Sequence, residues 1–434
     1  MMRALPLVMV AAALTGASAA AQQSVTTTKF EVAGIPVIYK PVRANDVVAV
    51  RLYIRGGSGN LTPMSAGIEN LMLSVARRGT EKYSRDAFSA LATETGTEIG
   101  SNAGFDFSVM SLQGVQQHWN EAWDLFTQAA LSPTFPAAEI DIVRAQLLDN
   151  LRRAPDDPDT YLRFLADSTV YAGHPYSVRP AGTLTSVAGI SRAALVDWHR
   201  QRLTKENLLL VVVGNVSRGD LASKIAASFG KLPAKGGSAR AIVALKPITP
   251  DVLVIKRDLP TNYITGYYSA PPPSDRDFAS LRVATDILSD RLFEEVRTKR
   301  NLTYAVAAGL DTRAANIGRL YVTAVDPDTT LKVIFSEVRR LQNEPLSKEV
   351  LAENVNTFIT EYWMGQQTNM GQASELGLFE LSGGGWQNEG RFIENVKRVT
   401  PADVERVAKR YMQHARFAVI GDPTKIDRKL FTSF

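Results

Sequence analysis

The feature that most restricts the fold is a repeat, because the chain closes each of its halves in the same way. In the first half, Ser191-Arg192-Ala193-Ala194 opens an amphipathic helix through Leu203, followed by Asn207-Leu208-Leu209-Leu210-Val211-Val212-Val213-Gly214-Asn215-Val216. In the second, Thr400-Pro401-Ala402-Asp403 joins a capping hydroxyl to a proline at the first helical position. That helix leads through Tyr411 to Arg416-Phe417-Ala418-Val419-Ile420-Gly421-Asp422-Pro423. Gly214 lies 23 positions beyond Ser191, and Gly421 lies 21 beyond Thr400. Both halves thus end in helix, strand and glycine turn. Alternating strands such as Val47-Val48-Ala49-Val50-Arg51-Leu52-Tyr53-Ile54 are mixed with helical stretches such as 136–153 and 331–342. The class that follows is α+β, an antiparallel-rich sheet packed by helices in each half. Between the halves, residues 230–247 are rich in Gly, Pro and Lys without a sustained period, which reads as a linker. The expected organisation is a domain over residues 26–232, a linker over 233–246 and a second, superimposable domain over 247–434. A chain of 434 residues is long enough for each half to bury its own core.

The amino terminus carries a leader pattern: Arg3, an apolar run from Leu5 to Leu14, and the small residues Ala17 to Ala21 suited to cleavage. Residues 1–22 are therefore read as a signal peptide, and the mature chain as periplasmic or secreted. The apolar run stops at Thr15-Gly16, short of the roughly 18 residues a membrane span requires. Having no cysteine, the chain cannot form disulfides, use a thiolate nucleophile or build a Cys-type metal site. The net charge of +5 is spread without a Lys/Arg block, which argues against nucleic acid or an anionic membrane as partner.

A zinc hydrolase needs three nitrogen or oxygen ligands, an open coordination position and a base beside the metal-bound water. The four histidines, at 118, 174, 199 and 414, are too far apart for any two to share a helical face. A lone histidine is more often a core or surface residue than a ligand. The residues by themselves thus point to no metal in this chain, and an independent metallopeptidase built on His174 and His199 lacks a supporting ligand.

Ser65-Ala66-Gly67-Ile68-Glu69-Asn70-Leu71-Met72-Leu73-Ser74-Val75-Ala76-Arg77-Arg78-Gly79-Thr80 resembles the signature of the insulinase-like M16 metallopeptidases, Gly-x-x-His-x-x-Glu-His on a helix that ends in Gly-Thr. With Gly67 and Gly79-Thr80 aligned, the resemblance puts Asn70 and Ser74 where the two histidine ligands belong and Leu73 where the glutamate base belongs. The third ligand, a glutamate on a later helix, falls at Asn150, 76 residues beyond Ser74, with Asp149 beside it if the register slips by one. His174-Pro175-Tyr176 is similar to the family's His-Pro-Tyr turn, and Leu208 to Val216 to its domain-closing strand. The resemblance spans nearly the whole mature chain and implies two homologous α+β domains of the M16/LuxS type. It also implies a zinc frame that has lost its ligands and base.

Arg291-Leu292-Phe293-Glu294-Glu295-Val296-Arg297-Thr298-Lys299-Arg300-Asn301-Leu302-Thr303-Tyr304 resembles the family's helix and loop bearing an arginine and a tyrosine, seven residues apart here as in the family. In active relatives this pair reaches toward the zinc site. A guanidinium can anchor substrate carbonyl or carboxylate groups, and a phenol can donate to a developing oxyanion. Read alone, Arg297 is equally a solvated residue of a last helical turn and Tyr304 the start of a half-buried strand. Where many relatives carry a glycine-rich loop before Arg-Leu, this chain has Thr285-Asp286-Ile287-Leu288-Ser289-Asp290, and its glycines 383–385 read as a turn. The family's substrate docks as a strand on a sheet edge corresponding to residues 99–109. The resemblance thus implies the non-zinc subunit of a two-subunit bacterial metalloendopeptidase. Such a chain holds no cofactor, pairs with a zinc-bearing homologue, acts on peptides and is inactive alone. The other reading is an idle scaffold or a chaperone-like peptide-binding protein.

Overall fold

A computed structural model describes residues 26–434, so the leader expected over residues 1–22 lies outside the described part. Six strands make the first sheet: β1 (Thr28–Val32), β2 (Ile35–Pro41), β3 (Val47–Arg55), β4 (Glu98–Ala103), β5 (Phe107–Val115) and β6 (Leu208–Gly214). Their order is β1-β2-β6-β3-β5-β4, with β2 and β6 parallel and the other pairs antiparallel. The second sheet contains β7 (Asp251–Lys256), β8 (Asn262–Ser269), β9 (Val306–Leu310), β10 (Ile317–Ala324) and β11 (Arg416–Gly421), in the order β7-β11-β8-β10-β9. Strand for strand this is the first sheet without β1, and the one parallel pair, β7 with β11, falls at the same place. The repeated helix-strand-glycine endings become the inner strands β6 and β11.

Every residue of β6 is buried, as expected of a strand covered on both faces. One face meets helices of its own half, among them α1 (Ile68–Ala76), while α2 (Ala137–Arg153) packs against α1. The other face is covered from the opposite half. The helix α3 (Pro158–Val170) lies on β8 and β11, and its Leu162, Leu165 and Ala166 pack with Tyr267, Ala418 and Ile420. In the C-terminal half, α4 (Phe278–Leu292) lines β9, and α5 (Asn369–Ser382) crosses to β3 and β6, where Ala373 and Leu376 meet Tyr53, Leu209, Val211 and Val213. Each half therefore lends a helix to the other's sheet. A sheet interior strand has two apolar faces, and burying each side chain stabilises by about 1.5–3 kcal/mol, so neither half completes its core alone. The approach at α5 is close enough that a Cβ on Gly377 would stand 2.3 Å from the Tyr53 ring.

Between the halves, residues 232–250 form no helix or strand but are tied down along their length. Arg202 and Asn207 both donate to the Gly237 carbonyl, Arg240 N–H donates to Asn60 at 3.1 Å, and His174 Nε2 donates to the Val243 carbonyl at 3.0 Å. A second seam joins the β4–β5 turn to the C-terminal half. Tyr176 donates to Asp106, whose other oxygen accepts the Ala314 N–H at 3.1 Å, and Arg313 pairs with Asp167 at 3.2 Å.

Candidate functional site

The helix α1 begins at Gly67, whose φ of 88° and close approach to Val187 Cγ2, 2.8 Å from where a Cβ would sit, both require glycine. It turns out at Gly79, where a Cβ would lie 2.7 Å from the ring of Pro136. The two glycines aligned in the sequence thus seat α1 between two neighbouring segments. Asn70 and Ser74, one turn apart, are half-buried. Leu73 is 4% exposed and belongs to the N-terminal core, so the position that the resemblance aligns with the base holds an aliphatic side chain with no proton to take or give. Asn150 is exposed on the last turn of α2, and Asp149 beside it pairs with Arg153 at 3.0 Å.

These residues do not fit a catalytic zinc: an amide, a hydroxyl, a core leucine and a second, exposed amide offer neither the imidazole and carboxylate donors nor the base such an ion needs. Among the described residues no group of three His, Cys, Asp or Glu is placed to hold a metal. The carboxylate nearest in sequence, Glu69, is buried and occupied, accepting from Ser108 and from Trp198 Nε1 at 3.2 Å. Burial pushes its pKa up. It is a core hydrogen-bonding group, and neighbouring polar partners far away in sequence gave no local signal of it.

Two histidines are spent on backbone. His174 accepts the Tyr176 N–H through Nδ1 while its Nε2 holds Val243. His199 donates from Nε2 to the Ala130 carbonyl at 2.8 Å, and burial lowers its pKa.

The Arg297–Tyr304 segment is built by an irregular helix end. After Leu292, residues Phe293–Thr298 widen into a π-helical turn in which Lys299 N–H reaches the Glu294 carbonyl at 2.9 Å. Such turns are rare and occur often at functional sites. Val296 and Leu292 anchor the turn in the core, and Asn301 at a φ of 50° reverses the chain toward β9. Thr303 then holds the loop by donating to the Thr323 carbonyl. The outcome is that Arg297 sits with its guanidinium 4.8 Å from the Phe293 ring centre and 5.1 Å from that of Tyr304. Tyr304 is 83% exposed and Phe293 47% exposed. Glu295, held down to about 2 by Lys299 and Arg300, takes both of those cations at 2.7 and 2.5 Å. Arg297 has no carboxylate partner among the described residues. Tyr304 precedes β9 and is a surface residue, where its sequence also allowed a half-buried strand start. Phe293, four residues before Arg297 and on the same helical face, escaped the sequence reading although its spacing carried the signal.

The segment 99–109 divides into two roles. Phe105 and Asp106 belong to the seam between halves, where the Arg313 guanidinium stands 4.3 Å from the Phe105 ring centre. Residues 98–103 form β4, the outer strand of its sheet. Gly104 N–H bonds Phe107, so by antiparallel alternation Ile99, Ser101 and Ala103 turn their backbone groups away from β5. Of that outward row, the Ile99 carbonyl accepts from Arg77 Nη1 at 2.9 Å, and the groups of Ser101 and Ala103 have no partner among the described residues.

Residues 37–183 match the family model described as insulinase (peptidase family M16), and residues 189–358 the model described as peptidase M16 inactive domain. The chain is 25% identical over 332 residues to an "uncharacterized zinc protease" of Mycobacterium tuberculosis, covering 71% of this chain and 73% of that one. It is 20% identical over 399 residues to a "non-peptidase homolog YmxG" of Helicobacter pylori, covering 84% and 90%. Among solved structures, a peptidase M16 inactive domain from Pseudomonas fluorescens aligns with a TM-score of 0.82 at 20% identity, over 91% of this chain and 98% of that one. The first half of the periplasmic protease PqqL from Escherichia coli aligns with a TM-score of 0.76 at 16% identity, over 93% and 95%. Family models on both halves, and a shared fold along nearly the whole described length, make this chain a member of the insulinase family of peptidases, M16.

Proposed function

We propose that this chain is the non-zinc subunit of a heterodimeric M16 metalloendopeptidase of the periplasm, completing the site of a zinc-bearing homologue. The observation that carries the reading is the stacked Arg297–Tyr304 pair. Tyr304 is exposed and Arg297, half-buried, has no carboxylate partner among the described residues, in a chain whose own frame holds Asn70, Leu73, Ser74 and Asn150. In this role the Arg297 guanidinium anchors a carbonyl or carboxylate of the peptide, and the Tyr304 phenol donates a hydrogen bond to the oxyanion that forms at the scissile bond. The zinc and the general base come from the partner. Peptides dock on β4, whose outward Ser101 and Ala103 offer unspent backbone groups. The leader pattern over residues 1–22 and the fold shared with a periplasmic protease support the compartment. Among the described residues no helix is long and apolar enough to cross a membrane.

The test mixes the purified chain with its zinc homologue and follows peptide cleavage. Neither protein alone is expected to match the mixture. Tyr304→Phe keeps the ring and its stack on Arg297 but removes the donor, so the complex should assemble and lose turnover by about 10²–10³. Full activity with both Arg297 and Tyr304 replaced by alanine would make this chain a scaffold.

A further inference from the structure

A cleft of about 670 Å³ wraps the outer edge of β4, with Arg77, Arg78, Arg85, Phe88, Glu98 and Met370 in its walls. Two of its three arginines are committed: Arg78 and Arg85 both reach Glu139, at 3.1 and 3.4 Å. Arg77 is different. It is exposed just beyond the end of α1, and its one protein partner among the described residues is uncharged, the Ile99 carbonyl. That carbonyl belongs to the outward row of β4, so a peptide adding as a strand must bring its own N–H there and displace the guanidinium. Once displaced, Arg77 stands where three guanidinium groups face two carboxylates, Glu98 and Glu139. A carboxylate on the incoming peptide restores a charge-assisted hydrogen bond and balances the excess charge. An ammonium at the same place meets that excess and leaves Arg77 to water.

We infer that Arg77 is a specificity-determining latch on the β4 edge, admitting extended peptides that carry an acidic side chain near Ile99 in preference to those carrying a basic one. The inference rests on the proposed docking of peptides at β4. Exchange of one hydrogen bond for another makes entry nearly neutral for an acidic peptide, so selection is by charge and weakens as salt rises.

The test titrates the full chain with fluorescein-labelled Ser/Thr/Val peptides, identical except for Glu, Gln or Lys scanned through the central positions, and reads anisotropy at low salt. At the responsive position, wild type is expected to bind the Glu peptide about fivefold tighter than the Lys peptide, the scale of a partly exposed ion pair. Arg77→Lys should keep that order. Arg77→Gln should abolish it while binding the Gln peptide at least as tightly as wild type, because the carbonyl is no longer capped. A Glu-over-Lys preference that survives Arg77→Gln, or binding of all peptides by wild type without preference, overturns the latch and leaves strand docking standing. Failure of every peptide to bind both wild type and Arg77→Gln overturns docking at β4 itself, and the latch with it.

Discussion

The two sheets share a strand order and finish their equivalent outer edges in opposite ways. On β9, the 15-residue helix α4 supplies two side chains to the outward row: Ser289 accepts the Ala308 N–H at 3.2 Å, and Arg282 donates to the Leu310 carbonyl at 3.4 Å. On β4, the equivalent helix α1 has nine residues and ends at Ala76, and among the described residues one side chain, Arg77 just beyond its end, reaches the row. An exposed edge is a template for another strand, and covering it with a helix removes the template. Among the described residues, side chains thus cap two outward groups on β9 and one on β4. The longer helix also continues into the wide turn that presents Arg297. The half with the better capped edge thus carries the guanidinium and phenol, and the half with the less capped edge carries the strand proposed to receive a peptide.

The sharpest way to break this comparison is at the centre of the two helices. Leu73→Ala should cost about 2–5 kcal/mol of stability, as Leu288→Ala should in α4, because both leucines are buried in their cores. Asn150→Ala should stay within about 0.5 kcal/mol. Chemical denaturation of the three variants decides. A Leu73→Ala cost near zero would mean that position 73 faces a cavity and that α1 is not an ordinary core helix.

The exchange of helices is probed next. Gly377→Ala drives a methyl group into the Tyr53 ring and should destabilise by about 1–3 kcal/mol. Loss of a single cooperative thermal transition, with one sheet melting ahead of the other, is the accompanying signature of a broken crossing. A neutral Gly377→Ala would show that α5 can lift away from the N-terminal sheet without loss.

The two crossings also differ in charge. On α3, Asp167 is matched by Arg313, whereas on α5 the half-buried carboxyl of Glu375 lies by Glu389 and Tyr362. Burial first, and then the Glu389 charge, push Glu375 up to about 7. A carboxyl whose folded pKa lies above its unfolded value binds more protons when folded, so stability falls as pH rises from about 4.5 to about 7. Asp286, pushed up to about 6 by burial, acts in the same direction. Glu375→Gln should therefore be more stable than wild type at pH 8, by on the order of 1 kcal/mol, and indistinguishable from it at pH 4. Thermal melts across that range check the sign, and a wild-type curve that is flat between pH 5 and 7 would refute it.

The smallest effects lie at the edges themselves. Ser289→Ala strips one cap from β9 and should cost about 1 kcal/mol, while Arg77→Ala, at an exposed and partly solvated contact, should cost less than about 0.5 kcal/mol. Amide exchange of Ala308 against that of Ser101 reads the difference directly, with Ser101 the faster in wild type.

How legible all this was depended on the range of the interaction. The helix ends could be read because Gly67 and Gly79-Thr80 flank one helix, and close contacts with Val187 and Pro136 are why those positions hold glycine. The seven-residue interval between Arg297 and Tyr304 was readable for the same reason. The stack on Phe293 was not drawn from the sequence although its spacing allowed it, and the meeting of both rings at one guanidinium came from the loop that returns Tyr304 past Asn301. Nothing near Arg77 in sequence points to Ile99, 22 residues away. The residues around 230–247 looked like a spacer because glycine, proline and lysine carry no period, yet their backbone is held by Arg202 and Asn207, Asn60 and His174, from three separate segments.

By itself the sequence determined the local chemistry: two copies of one helix-strand plan, a helix between two glycines without histidine, and an arginine and tyrosine at a set interval. These are properties of residue type and spacing along one chain segment. Only the tertiary structure decided that each half lends the other a helix, that α4 caps two outward groups of β9, and that Arg77 reaches the Ile99 carbonyl on the edge of β4. The reason is physical: both faces of an interior sheet must be buried, and which helix does so is settled by packing between residues far apart in the chain.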